Sequence, residues 1–103
     1  ITLDKKFLGG VVYHRLVNEN VEMSIATSSP RWATRAHIRD LFAYPFGTLQ
    51  VRRVTTTVTA DNATAIKMNE RLGFRREGTL REYNDGKDTE IFGMLVQDCK
   101  WIK

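Results

Sequence analysis

Cysteine is almost missing from this sequence: the single thiol, Cys99, excludes an intrachain disulfide and leaves no redox pair and no set of metal ligands at recognisable spacing. Long apolar runs are missing too. The longest, Phe7 to Tyr13 and Ile91 to Val96, are far too short to cross a bilayer as helices, which excludes a membrane role read from the sequence. No internal repeat, low-complexity stretch or linker interrupts the chain. Blocks of like charge are also absent. The sixteen basic residues are spread out, so the net charge of +4 is met by a phosphate-bearing small molecule as well as by nucleic acid, and the clustered arginine and aromatic residues of a nucleic-acid surface are not there. A signal-peptide n-region and cleavage site are lacking, and the first residue is Ile1 rather than methionine, so the expectation is that a segment precedes it. The lone cysteine fits a reducing compartment, which makes the cytoplasm the expected location.

What is present suits one core. With 103 residues, 42% of them hydrophobic and 27% charged, the chain has the size and balance of a single soluble α+β domain over residues 1–103. Leu8 to Leu16 and Val21 to Thr27 are rich in β-branched and aromatic residues and flank Val17-Asn18-Glu19-Asn20, whose composition is that of a turn; they predict a hairpin. From Trp32 onward, Ala36, Ile38, Leu41 and Phe42 recur at helical spacing behind Ser28, Ser29 and Pro30, and that helix is expected to stop near Tyr44, before Pro45 and Gly47.

Val51 to Thr59, a run of valine and threonine, predicts a third strand. Asp61 or Asn62 then caps a helix through Ile66, Met68 and Leu72, closed by Gly73 as a left-handed C-cap with Phe74 packed behind it. Arg76 to Tyr83 and Thr89 to Val96 flank Asn84-Asp85-Gly86-Lys87, where Asp-Gly is a hairpin signal. The order ββαβαββ implies helices packed on a largely antiparallel sheet.

The segment Asp61-Asn62-Ala63-Thr64-Ala65 through Leu72-Gly73-Phe74 to Glu77-Gly78, placed after a Val/Thr strand, resembles the GNAT superfamily of N-acetyltransferases, and within it the branch like ribosomal-protein N-terminal acetyltransferases. The resemblance extends over nearly all of the chain and implies that the N-terminal part of the full fold is missing. It also implies acetyl-coenzyme A as acyl donor, an amine as acceptor and no metal. The first helix would then hold the donor's pyrophosphate at its N-terminus, where free backbone N–H groups and the helix dipole favour anions.

The family's phosphate loop, (Gln/Arg)-x-x-Gly-x-(Gly/Ala), aligns with Ser28-Ser29-Pro30-Arg31-Trp32-Ala33, and only Ala33 matches. Arg31 stands where the middle glycine belongs and supplies a charge-assisted hydrogen bond in place of close backbone approach. The resemblance thus assigns Arg31, Trp32, Ala33 and Thr34 to the donor. Read without it, Arg31, Arg35 and Arg39 are the solvated face of an amphipathic helix, and Trp32 is a packing residue. The resemblance further gives the backbone of Ile25, Ala26 and Thr27 to the pantetheine arm, one N–H there facing the thioester oxyanion. Read alone, those residues belong to an ordinary strand with paired backbone.

Asn62 takes two roles, one beside the acetyl and pantetheine groups and one as an N-cap. Glu22 lies in the strand where relatives place a glutamate base, although a glutamate on a half-exposed strand is ordinarily solvated. The tyrosine acid that relatives carry seven residues after the motif asparagine is Asn69 here, and the alternative serine is Ala65. Tyr83 and Ser24 are the remaining candidates for the acid, with nothing in their spacing to select them. His14 and His37 read as a strand and a helix-surface residue.

Two functions stay open. One is acetyl transfer to a primary amine by direct attack, the acceptor being a protein N-terminus, a lysine or a small amine. The other is a non-catalytic module serving as a cofactor sensor or structural part of a larger assembly, homo-oligomer included.

Overall fold

The computed structural model describes residues 9–27 and 34–102. Five strands form one sheet in the order β1-β2-β3-β5-β4: β1 is Gly9–Val17, β2 Asn20–Thr27, β3 Arg53–Thr59, β4 Arg75–Asn84 and β5 Lys87–Leu95. Two helices, α1 (Arg35–Ala43) and α2 (Ala63–Leu72), lie between them in sequence, so the described order is the expected ββαβαββ. All neighbours are antiparallel except β2 and β3, which the α1 crossover makes parallel.

Side-chain alternation places both helices on one face. Val21 pairs with Val54 and both are buried, as are Met23, Thr56 and Val58 at even spacing from them. Thr56 bonds to Asn69 of α2, while Tyr13, the cross-strand partner of Met23, bonds to Leu41 of α1. Phe42, Phe74, Phe92 and Met94 fill the space between helices and sheet. The other face carries Asn20, Glu22 and Ser24 of β2 beside Arg53, Thr55 and Thr57 of β3, and no helix among the described residues covers it.

Local chemistry explains the boundaries. Asn62 accepts a hydrogen bond from the Ala65 N–H at 3.1 Å and starts α2; Gly73, at φ 105°, ends it in the left-handed conformation, its N–H returning to Glu70. Asp85 and Gly86 both have positive φ, 53° and 77°, as the tight turn between β4 and β5 requires. Trp101, in the short C-terminal turn, donates its indole N–H to the Leu72 carbonyl at 2.8 Å, satisfying one of the acceptors exposed at the end of α2.

The first α-helix ends at Ala43 with Tyr44 as its C-cap, as expected; what the sequence did not suggest is the π-turn over Tyr44–Thr48 that follows it, with the Leu49 N–H bonded to the Tyr44 carbonyl at 2.9 Å. Pro45 carries no N–H, so the Leu41 carbonyl loses its helical donor, and the buried Tyr13 hydroxyl donates to that carbonyl instead. Burial, with the neighbouring Tyr44 adding to it, raises the Tyr13 pKa well above the ordinary phenol value and keeps the donor protonated.

Candidate active site

The β2–β3 pairing is short. Only Asn20–Arg53, Val21–Val54 and Glu22–Thr55 are in register; beyond Glu22 the strands diverge, while β1 stays paired to β2 as far as Thr27 and β5 stays paired to β3 as far as Thr59. A wedge-shaped slot of about 470 Å3 opens between them. Among the described residues it is lined by Met23 and Ser24 of β2, Thr56 to Thr59 of β3, and Asn62, Thr64, Ala65, Met68 and Asn69 at and beyond the start of α2. Met23, Thr56 and Val58 point to the helix face, and Ser24, Thr57 and Thr59 to the other, so the slot passes through the sheet.

Among the described residues the facing edges of β2 and β3 have no strand partner along the slot, which leaves their backbone donors and acceptors to an extended ligand. The described lining holds no ionisable side chain; it is hydroxyl, amide and apolar in character. No group of three or more His, Cys, Asp or Glu residues able to hold a metal ion occurs among the described residues.

The closed end of the slot carries a buried polar pair. The Thr56 hydroxyl donates to Asn69 Oδ1 at 2.5 Å, and Asn69 Nδ2 donates to the Ala65 carbonyl at 2.8 Å. Both side chains are nearly inaccessible, Thr56 at 4% and Asn69 at 5% exposure. The sequence placed Asn69 only as the residue standing in for a tyrosine. Its helical register relative to Leu72 and Ala65 was the signal that it faces the sheet.

The expected site residues divide into three groups. Asn62 lies on the slot, at its open end, with its side-chain oxygen engaged as the α2 cap. The backbone of Ile25, Ala26 and Thr27 runs along β2, paired to β1 on one side and unpaired to β3 on the other. Glu22 occupies the last rung before the strands part, half-buried, with its carboxylate 3.6 Å from Arg15. It stands at the apex and outside the slot lining. Thr34 caps α1, its exposed hydroxyl accepting from the His37 N–H at 3.3 Å. Arg31, Trp32 and Ala33 lie outside the described residues.

Of the remaining acid candidates, Tyr83 is 61% exposed near the β4–β5 turn and does not line the slot, whereas Ser24 does. The Ser24 hydroxyl lies 3.0 Å from His14 Nε2, which connects the slot to an exposed imidazole. Sequence reading passed over His14 because the contact depends on β1–β2 register, with His14 opposite Glu22 and one diagonal step from Ser24.

A further network crosses the open face beside the apex. Arg53 binds Glu77 through two nitrogens at 2.5 and 3.1 Å and donates from Nε to the Thr55 hydroxyl at 2.9 Å, and Thr55 donates to Asn20 Oδ1 at 2.7 Å. The ion pair spans from β3 to β4 directly over Gly93 of β5, where a Cβ would come within 2.5 Å of both charged groups. The Arg53 hydrogen bond, supplemented by its charge and partly offset by burial, lowers the Glu77 pKa below the ordinary carboxyl value.

No protein-family model matches the chain. A curated protein from Bacillus licheniformis, named uncharacterized N-acetyltransferase p20, is 31% identical over 65 residues, covering 59% of this chain and 36% of that protein. Among solved structures, a chimera of spermidine N-acetyltransferase SpeG from Vibrio cholerae and hSSAT superposes with a TM-score of 0.80 at 20% identity, covering 99% of this chain and 68% of that one. An acetyltransferase of the GNAT family from Bacillus anthracis gives 0.72 at 19% identity, covering 87% and 59% respectively. A putative acetyltransferase from T. thermophilus gives 0.76 at 23% identity, covering 92% and 56%. At these identities the likeness is one of fold: the chain has the α+β fold of those acetyltransferases and spans little more than a third of the curated relative.

Proposed function

We propose that this chain is a GNAT-type domain, the C-terminal portion of the full fold over residues 1–103, that binds acetyl-coenzyme A and serves transfer of the acetyl group to a primary amine. The observation that carries the reading is the slot at the β2–β3 divergence. Two parallel strands that part after three rungs expose backbone edges suited to the amides of a pantetheine arm, in a cleft of the size range used for small ligands. The fold likeness to acetyltransferases and the partial match to an N-acetyltransferase support it.

In this reading the acyl donor extends from the start of α1, where Arg31 to Thr34 meet its pyrophosphate, along Ile25 to Thr27, and past Asn62 to the apex. The Asn62 side-chain oxygen is committed to the helix, which leaves its amide nitrogen for the donor. The acceptor enters from the open face. Its neutral nitrogen attacks the thioester carbonyl, forming the C–N bond; the C–S bond breaks with its electron pair going to sulfur, and the proton shed by nitrogen leaves through Glu22 at the apex. Protein N-termini, lysines and small amines, including polyamines of the kind named for the solved spermidine enzyme, are the acceptor class. A non-catalytic, cofactor-sensing role is the second reading, favoured by the lack of ionisable side chains in the described slot lining.

Calorimetric titration of acetyl-coenzyme A, followed by thiol release with an amine panel, tests both. Saturable binding with turnover that falls about 10- to 100-fold in Glu22→Gln supports transfer. Binding without turnover for any amine supports the sensor, and a folded chain that does not bind removes both.

A further inference from the structure

We infer that His14, acting through the Ser24 hydroxyl, takes the first proton from the acceptor amine, before the attack that sheds a second one toward Glu22; this rests on the transfer reading given above. A lysine or a small amine is an ammonium ion near neutral pH and has no lone pair with which to attack. Two protons therefore leave its nitrogen, one before the C–N bond forms and one as it forms. Glu22 accounts for the second, and it stands outside the slot lining with its carboxylate 3.6 Å from Arg15. The described lining has no ionisable side chain, so the other exit has to reach the slot through a hydroxyl or an amide. Thr56 and Asn69 are bonded to each other, and the Asn62 oxygen caps α2. Ser24 is the lining side chain that joins the slot to a titratable group, its Oγ lying 3.0 Å from His14 Nε2.

Strand register makes this pair. His14 stands opposite Glu22 and Ser24 opposite Val12, so both side chains project from the sheet face that carries no helix among the described residues, the face by which the acceptor enters. The charged and titratable groups around His14 are Glu22 across on β2 and Arg15 beside it on β1, which pair with each other, and the phenols of Tyr13 and of Tyr44 in the π-turn, which share a shallow pocket with it. The step uses the tautomer protonated at Nδ1, in which Ser24 donates to the bare Nε2. One N–H bond of the ammonium ion breaks and its electron pair stays on nitrogen. That proton passes to Ser24 Oγ as the hydroxyl proton passes to Nε2, so the serine ends as it began and the imidazole carries the charge. His14 is exposed, and water removes the proton there without entering the slot.

The test follows kcat/KM for a small primary amine against pH in the intact chain, with acetyl-coenzyme A saturating. In the wild type it is expected to rise with pH and level off once imidazoles are neutral. In His14→Gln hydroxide has to take the proton, so the levelling is expected to vanish, the rate climbing on toward the ionisation of the amine itself and lying about 10- to 100-fold lower at pH 7. Ser24→Ala is expected to give the same profile, the double variant to lose no more than either single one, and Ser24→Thr to restore the levelling. Glu22→Gln is expected to be slower while the levelling stays. A second readout needs no turnover. The chain has two histidines, so NMR follows His14 with His37 as the reference. Amine added to the chain saturated with coenzyme A brings a cation to Ser24, which is expected to displace the His14 titration downward by about 0.3 pH unit and to leave that of His37 in place. A wild-type profile without levelling overturns the inference, as does levelling that persists in His14→Gln or Ser24→Ala, or an undisplaced His14 titration in a chain that acetylates the amine. A folded chain that binds acetyl-coenzyme A and acetylates no amine overturns the transfer reading and this inference with it, a result distinct from turnover with an unaltered profile.

Discussion

β3 has two sides with opposite construction. Toward β5 it is paired over seven successive rungs, Arg53–Leu95 to Thr59–Thr89, with Phe92 and Met94 inaccessible beneath the helices. Toward β2 pairing ends after three rungs, and threonine and asparagine share the gap with Met23, Val58 and Met68. The same strand therefore anchors the core along one edge and forms a wall of the slot along the other. Cohesion is concentrated on the β3–β5–β4 side, which lets the opposite edge stay unpaired without loss of the fold.

The largest effect that tests this contrast is expected from Phe92→Ala. Phe92 is fully buried on the paired side, and removing its ring costs about 3–5 kcal/mol in chemical denaturation. A cost below about 1 kcal/mol would mean that the paired side is not where stability resides. Smaller, and on the open side, is Asn62→Ala, expected to lose about 1 kcal/mol with the α2 cap and to weaken acetyl-coenzyme A binding. Asn62→Asp keeps the cap acceptor and sharpens the comparison, because its stability should hold while affinity still falls if the amide nitrogen contacts the donor. Thermal melts and calorimetry on the two variants separate the roles.

The smallest effect concerns Arg53 and Glu77. The folded Glu77 pKa lies below the ordinary carboxyl value of 4.5, so its contribution is complete above that value and is lost as pH falls through the lower folded one. Gly93→Ala forces the two side chains apart and should remove that acid-dependent part, about 0.5–1 kcal/mol after allowance for solvent screening of a pair that is 30% and 40% exposed. Urea midpoints of the two proteins at pH 7 and pH 3 measure it: the gap between them should narrow at the lower pH.

The elements visible in the sequence were those whose cause is local. Asn62 caps the next turn, Gly73 takes a conformation that side chains resist, and Asp85-Gly86 fixes a hairpin by its own backbone angles. The ββαβαββ order followed from such signals. The slot was legible only through the family resemblance, because where two parallel strands part is decided by residues far apart in the chain. Asn69 was legible as a helix position but not as a buried partner of Thr56, and Gly93 gave no sign that an ion pair from β3 and β4 passes over it. Pro45 marks the end of the α-helix, as proline ordinarily does; the π-turn that follows and the rescue of the Leu41 carbonyl by a hydroxyl from β1 have no local signature.

That rescue couples Tyr13 to Pro45 through the Leu41 carbonyl, which one leaves without a helical donor and the other supplies with a hydroxyl. A descendant that exchanged Pro45 for an ordinary residue would regain a helical donor for Leu41 and turn the Tyr13 hydroxyl into a surplus group in a dry setting. One that lost the hydroxyl first would strand the carbonyl. Proline at position 45 and a hydroxyl at position 13 therefore compensate one another, and changing both together is expected to cost less than the sum of the two single changes.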